Sequence, residues 1–210
     1  MEPKRRTQKE RREGTIRKLL DAATHTLIEA GYAEASVQRI CVRAELSQGA
    51  LFRHFATREA LMVAVGEDVG DRILERYREQ FLSVPAGEAS VAAAVRLVRD
   101  ACRSRLNQAW YELSIAARTN ENLRKHLEPV ARRYYEDIAT AARELLPDFA
   151  AKMGGSFDVL VSTVIAVFDG EAIERFAIAR PEVEEARLAL LVAAVEQLAR
   201  GAELARGPKH

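Results

Sequence analysis

The stretch from Ala35 to Arg58, ASVQRICVRAELSQGALFRHFATR, constrains the fold more than any other part of the sequence. Ser36 is a residue type that caps helix N-termini, because its hydroxyl accepts from the free backbone N–H groups of the following turn. Apolar residues then recur on one face of a helical period: Val37, Ile40, Cys41 and Ala44. This spacing predicts one short helix.

A second short helix follows a break in the pattern at Glu45-Leu46. Ser47 is a second capping residue, and Leu51 with Phe55 gives the new helix an inner edge one turn long. Two short helices joined by a tight turn form a helix-turn-helix.

The outer face of the second helix is polar or small: Gln48, Gly49, Ala50, Arg53 and His54. A recognition helix enters the major groove of DNA with its N-terminal end, and a Gln can bond bidentately to adenine. We therefore expect Gln48 to read a base. Thr57 caps a third helix that starts with Arg58, and a cation beside free N–H groups is typical of a phosphate contact. A generic helical hairpin with a solvated polar face has the same local pattern.

The pattern continues further than a generic hairpin requires. The run LFRHF-x-T-R-E-A-L, preceded by S-V-Q-R-I-C-V-R-A, resembles the DNA-binding segment of the TetR family of bacterial transcriptional repressors over roughly residues 15–65. The resemblance implies that nine residues contact DNA, some at bases and more at phosphates: Ser36, Gln38, Gln48, Gly49, Ala50, Phe52, Arg53, His54 and Arg58. The predicted DNA-binding set also includes Arg39, Ser47 and Thr57.

Two positions depart from the usual pattern of that family. Phe52 stands where a Tyr hydroxyl most often reaches a phosphate, so that this hydrogen bond cannot form. Glu45 stands where the turn usually has Gly, so it has to adopt the turn's backbone geometry and places a negative charge near DNA. These departures leave open an alternative, a helical ligand-binding or scaffolding protein whose head no longer binds DNA specifically.

Composition and charge fit a DNA-binding protein of the cytoplasm. The hydrophobic fraction of 48% and the charged fraction of 30% are ordinary for a globular protein. No run approaches the roughly 18 apolar residues of a membrane-spanning helix, and no secretory signal is visible, so we expect no membrane association. Residues 1–58 hold 12 Lys+Arg against 7 Asp+Glu, a balance of +5 within a net charge of +1. Such asymmetry steers a polyanion to one end. The two cysteines are expected to be reduced core thiols.

The domain organisation predicted from these patterns has three parts. Residues 1–14 are expected to be a disordered basic arm, since they are charged almost throughout. Residues 15–60 form the helix-turn-helix domain, whose first helix runs from Thr15 to Ala30 with Gly31 as a left-handed C-cap. Residues 61–210 form a larger helical body for effector binding and dimerisation.

The body is expected to contain helices throughout. A connector helix extends to about Phe81 and is broken at residues 83–87, and further helices are predicted at 88–106, 108–118 and 121–146, the last kinked by Pro129. A loop or short turn is expected between Pro147-Asp148 and Gly154-Gly155. With two final helices the chain is predicted to be all-α, with about nine helices and no strand.

The last two helices carry more apolar surface than one small core needs. Phe157 to Phe168 is apolar nearly all round, and a regular apolar stripe follows Pro181. They resemble the TetR-type interface, which implies a homodimer on a palindromic operator. The predicted dimer residues are Phe157, Val161, Val164, Ile165, Leu188, Leu191, Val192, Val195 and Leu198. The alternative is that both helices close the core of the single chain.

No catalytic or metal-binding signature is visible in the sequence. It contains no zinc spacing of Cys and His, no phosphate loop after a strand and no nucleophile elbow, so we expect neither an enzyme nor a cofactor. The carboxylates Asp169, Glu171 and Glu174 are expected to pair with Arg175 or a neighbouring helix. An all-helical enzyme would need an essential ionisable residue in the body, and no candidate is apparent.

The family resemblance also implies a small-molecule effector held among the middle helices. The candidate pocket residues are Arg105, Trp110, Tyr111, Ser114, His126, Phe168 and Glu171. Together these inferences predict a transcriptional regulator that is a repressor released by a small ligand, with activation as the milder alternative.

Overall fold

The computed structural model describes residues 7–84 and 90–204 and contains ten α-helices with no strand in this part of the chain. The helices are α1 Gln8–Glu34, α2 Val37–Ala44, α3 Gln48–Phe52, α4 Arg58–Leu82, α5 Val91–Cys102, α6 Arg105–Ala117, α7 Glu121–Leu145, α8 Pro147–Met153, α9 Ser156–Glu174 and α10 Pro181–Leu204. The predicted all-α class is confirmed.

The chain divides into two compact units. The first comprises residues up to Gly70 together with Gln108–Ala131, and the second comprises Asp71–Asn107 together with the residues from Arg132 onward. The predicted division into a head (15–60) and a body (61–210) stays a prediction, because compactness does not assign a function to either part.

Helix α1 begins at Gln8, not at Thr15, so residues 8–14 are helical although a disordered arm was predicted there. The reason is a capping box that the sequence prediction overlooked. The hydroxyl of Thr7 accepts from the backbone N–H of Glu10 at 3.2 Å, and the Glu10 carboxylate accepts from the N–H of Thr7 at 2.7 Å. Lys4, Arg5 and Arg6 of the predicted arm lie outside the described residues.

The helix-turn-helix is built on the buried face of α1. Helix α1 packs on α2, and α2 packs on α3. Fully buried side chains from successive helices fill this core: Leu19, Leu27, Ile40, Leu51, Leu61 and Val65. Each contributes on the order of 2 kcal/mol by leaving water. At Gly31 the backbone leaves the helical region with φ 77° and ψ 171°, so φ is positive as a left-handed C-cap requires, but ψ lies outside the left-handed region.

The second unit is built around α5. Helix α5 packs against α9 and α10, and α8 contacts both of these helices. Helix α8 occupies residues where a loop or short turn was expected, because Pro147 suits a first helical turn and Phe149 is buried. The ring of Phe149 meets that of Phe157 edge to face, with centroids 5.7 Å apart.

Several predicted boundaries shift in the structure. Helix α5 ends at Cys102 and α6 starts at Arg105, where a single helix to residue 106 was expected. Helix α7 continues through Pro129. The predicted break at residues 83–87 falls partly on residues outside the described part.

Both cysteines are buried and remain unbridged thiols, as predicted, and burial raises the pKa of Cys41.

In the described residues no single helix is both long and apolar enough to cross a membrane, whereas α8 and α9 meet that test as a pair bent by 111°.

Candidate nucleic-acid interface

The turn between α2 and α3 is closed by capping interactions and by one left-handed residue. Ser36 accepts from the N–H of Arg39 at 3.2 Å at the start of α2. At its end Glu45 has φ 55° and ψ 42°, and its N–H donates to the carbonyl of Val42 at 3.2 Å. A non-glycine residue pays about 1–2 kcal/mol for this conformation. Glu45 therefore forms the tight turn that usually calls for Gly.

Helix α3 is short, is capped at its N-terminus and is anchored by one buried leucine. Ser47 accepts from the N–H of Ala50 at 3.1 Å, and Leu51 is fully buried beneath the helix. The helix ends at Phe52, so Arg53 and His54 lie in the turn that follows rather than on the helix. Phe52 is 48% exposed, which leaves its ring available at the surface.

The structure places the twelve predicted DNA-binding residues on or near the surface. Nine are exposed, namely Ser36, Gln38, Arg39, Ser47, Gln48, Gly49, Phe52, Arg53 and Thr57, and three are half-buried, namely Ala50, His54 and Arg58. The capping hydroxyls accept from the backbone and each still has an O–H to donate, for example to a phosphate oxygen. The outward face that was predicted from the sequence is therefore present in the structure.

The side chain of Arg58 has partners that the sequence did not reveal. Its Nε donates to the carbonyl of Ala35 at 2.8 Å, and its Nη2 donates to the carbonyl of Tyr32. The guanidinium also lies 4.1 Å from the centre of the Tyr32 ring, a cation–π contact. Arg58 thus fixes the segment between α1 and α2, and the phosphate contact predicted for it stays a prediction.

Basic residues extend the candidate surface along the start of α1. Lys9, Arg11 and Arg12 are exposed on its first turns, so the charge that the sequence placed on an arm is presented by a helix. Lys9 lies 3.9 Å from Glu13, and both side chains are exposed, so this pair holds the lysine only weakly.

The predicted effector residues fall in both compact units. In the first unit Trp110 and Tyr111 are buried, whereas Ser114 and His126 are exposed. In the second unit Phe168 and Glu171 are buried, whereas Arg105 is exposed. The effector assignment stays a prediction for all seven.

Glu171 is the centre of a buried ion cluster in the second unit. Its carboxylate accepts from Arg99 at 3.0 Å, from Arg187 at 2.7 Å and from Arg103 at 2.5 Å. Glu174 also pairs with Arg187, at 3.5 Å. These contacts agree with the expected charge pairing of the carboxylates with a neighbouring helix.

A small cavity in the second unit was not found by sequence reasoning. It has a volume of about 110 Å³ and is lined by Ile73, Arg76, Tyr77, Gln80, Asp100, Ala101, Ser104 and Leu106. Burial raises the pKa of Tyr77 to about 12, so its hydroxyl is neutral and donates to the carbonyl of Ala94 at 3.3 Å. None of the seven predicted effector residues is among the lining residues, because the helical pattern does not tell a cavity wall from packed core.

The predicted dimer residues are mostly covered within the chain itself. Five of them are buried: Phe157, Val164, Ile165, Val192 and Val195. Val161, Leu188 and Leu191 are half-buried, and Leu198 is 46% exposed. Other apolar side chains of α9, α10 and their connection are exposed instead: Val159, Ile173, Phe176, Ile178, Val183 and Leu190. Exposed apolar surface of this extent is typical of an interaction site.

Comparison with known proteins places the candidate interface in context. The model of the family described as "Bacterial regulatory proteins, tetR family" matches residues 19–65, which contain α2 and α3. An uncharacterized HTH-type transcriptional regulator of Mycobacterium tuberculosis is 42% identical over 188 residues, which cover 90% of this chain and 96% of that protein.

Two solved structures share the fold. A transcriptional regulator from Rhodococcus sp. Rha1 has a TM-score of 0.68 at 23% identity, covering 87% of this chain and 96% of that one. The multidrug binding protein EbrR, solved in complex with imidazole, has a TM-score of 0.58 at 21% identity, covering 87% of this chain and 93% of that one. At these identities the likeness concerns the fold alone.

Proposed function

Since the chain belongs to the tetR family of bacterial regulatory proteins and is a DNA-binding transcriptional regulator rather than an enzyme, we propose that it is a cytoplasmic repressor. It binds a palindromic operator as a homodimer and is released by a small molecule. The observation that carries this proposal is the exposed face of α3, with Gln48 at its start and a serine cap on each of the two helices.

Base reading is assigned to Gln48 because of its place on α3. The side chain is exposed at the first position of the helix, and its neighbour Gly49 has no side chain to hold the backbone away from base edges. An amide in this position donates and accepts at adenine N6 and N7. Gln38, Arg53 and the capping serines are also exposed, and their side chains suit phosphate oxygens.

The homodimer is assigned to α9 and α10. Phe176 is 59% exposed, Ile178 55% and Leu190 71%, and these residues lie in one region of sequence around the connection of the two helices. One five-residue α3 spans few base pairs, so a second copy about a two-fold axis multiplies the binding energy on a palindromic site. Leu198 is the residue of the predicted set that contributes free apolar surface.

The effector is assigned to the cavity in the second unit. Its volume of about 110 Å³ is smaller than the roughly 300–1,000 Å³ of pockets for drug-sized ligands, so the effector would have only a few heavy atoms, and the wall combines Ile73 with the polar groups of Tyr77 and Ser104. EbrR, which shares the fold, was solved in complex with imidazole. A ligand that binds better to a conformation with the wrong head spacing shifts the population away from DNA.

Selection of DNA from a random pool tests this proposal. The purified chain is incubated with the pool at low salt, bound fragments are amplified, and the enriched site is footprinted with and without a metabolite panel. We expect a two-fold symmetric site and its release by at least one metabolite. Failure to enrich any sequence overturns specific binding, and an asymmetric single site overturns the dimer.

A further inference from the structure

Residues 31–36, which form the end of α1 and lead into α2, are held by side chains from three other places in the first unit. Tyr32 lies within this segment. Its backbone N–H donates to Oε2 of Glu112 at 2.9 Å, its hydroxyl accepts from Nδ2 of Asn120 at 3.3 Å, and its carbonyl accepts from Arg58. Every polar group of Tyr32 therefore has a partner outside its own helix.

Glu112 and Gly31 fit one another closely. The non-helical backbone of Gly31 interrupts the regular course of α1 just before Tyr32, whose N–H donates to a side chain. Glu112 on α6, 80 residues away in sequence, supplies the acceptor. A Cβ on Gly31 would lie 3.0 Å from the same carboxylate oxygen, so any other residue would strain the backbone at this positive φ and push the carboxylate back by a few tenths of an ångström.

The same segment sets the start of α2. Arg58 donates to the carbonyl of Ala35, the residue before the N-cap Ser36, and its ring contact with Tyr32 ties both ends of the segment together. Helix α2 then carries α3 through the turn at Glu45. We therefore expect a displacement of Tyr32 to change the position of α2 and, with it, of α3, which carries Gln48.

We propose that Glu112 is a positioning residue for DNA binding. It touches no DNA, but its carboxylate holds the Tyr32 backbone and through it the orientation of α2 and α3. Glu112 lies outside residues 19–65, which the family model matches. The inference rests on the proposed function, since it requires that α3 reads DNA. It also means that any change in the position of α6 that breaks this contact weakens DNA binding.

Four variants of the full chain separate positioning from charge. Glu112→Ala removes the acceptor, Glu112→Gln retains an oxygen at the same reach without the charge, and Glu112→Asp retains the charge but withdraws the oxygen by one methylene. Glu121→Ala is the matched control, because Glu121 lies in the same unit, is 90% exposed and pairs with Arg124 at the long distance of 4.0 Å. Operator affinity, its salt dependence and thermal unfolding are measured for each.

We expect Glu112→Ala and Glu112→Asp to bind the selected operator at least tenfold more weakly, with an unchanged salt slope because no phosphate contact is lost. Glu112→Gln and the control are expected to bind within about twofold of the wild type, since the amide oxygen accepts from the same N–H. An E112A variant that binds as tightly as the wild type, or an E112Q variant as weak as E112A, overturns the inference. A wild type that binds no DNA overturns the proposed function itself.

Should Glu112→Ala fail to fold, the comparison of Glu112→Asp with Glu112→Gln decides alone. Weaker binding by E112D at unchanged thermal stability supports positioning, and equal binding by both contradicts it.

Discussion

Glu171 accepts a hydrogen bond from Nε of Arg99 at 3.0 Å, and the two side chains are only 0% and 6% exposed. Burial alone would raise the pKa of Glu171, but hydrogen bonds from Arg99, Arg187 and Arg103 outweigh it and lower the pKa below its ordinary value. The carboxylate is therefore ionised in the folded chain, and it compensates guanidinium groups that are themselves removed from water.

Replacement of Glu171 by Gln is expected to destabilise the folded chain by about 3 kcal/mol, because it removes the buried negative charge that compensates Arg99, Arg103 and Arg187 together. The free energy of unfolding in urea at pH 7 measures the effect. Glu185→Gln is the matched control, since Glu185 also pairs with Arg99 but is 67% exposed. Glu185→Gln should lower the free energy of unfolding by less than about 1 kcal/mol. Equal losses for the two variants would contradict the account.

The contribution of Glu171 to the free energy of unfolding should decrease as the pH falls. Its folded pKa lies below the ordinary value of 4.5, so the unfolded chain binds the proton first as the pH falls. The stability that Glu171 provides is thus complete well above pH 4.5 and is lost as the pH falls through the lower folded pKa. The stability difference between wild type and E171Q is expected to shrink from pH 7 toward pH 3. A stability difference between wild type and E171Q that grows on acidification would contradict a lowered pKa for Glu171.

Arg58→Lys should weaken operator binding nearly as much as Arg58→Ala, although it retains the charge. A lysine cannot donate to the carbonyls of Tyr32 and Ala35 with the forked geometry of the guanidinium. We expect both variants to lose at least tenfold in affinity on all DNA sequences. Fluorescence anisotropy with labelled operator at two salt concentrations provides the measurement. Wild-type affinity for R58K, with a flatter salt slope for R58A alone, would assign Arg58 to a phosphate contact instead.

A single charge on the exposed apolar face of α10 should break the dimer. Leu190→Glu places a carboxylate where 71% of the side chain is exposed, so the single chain tolerates it but an apolar interface does not. Sedimentation velocity is expected to show monomers for L190E and dimers for the wild type. Leu82→Glu on α4, where the leucine is 74% exposed, is the control and should remain dimeric. Dimers in both variants would remove α10 from the interface.

Local physics made the helix-turn-helix predictable. Ser36 and Ser47 accept the backbone hydrogen bonds that their positions in the sequence indicated, and Glu45 takes the left-handed conformation that the turn demanded. The capping box of Thr7 and Glu10 is equally local and matches the pattern T-x-x-E, although the high charge of the segment favours the prediction of disorder.

Contacts across long sequence separations were not predictable. The bond from Tyr32 to Glu112 spans 80 residues, and no periodicity connects the two. For α9 the difficulty was different. A helix that is apolar nearly all round does not indicate which of its faces is buried within the chain. Phe157 of the predicted dimer set is therefore buried in the chain, whereas Val159, which is 67% exposed, is absent from that set.

The base preference of a Gln48→Ala variant shows whether α3 reads DNA bases. Wild type and variant are each used to select DNA from the same random pool, with Glu121→Ala as control. We expect Q48A to lose preference at one particular base pair in each half-site, by about 1–3 kcal/mol, while the other positions keep theirs. An unchanged sequence preference would contradict the assignment of base reading to α3.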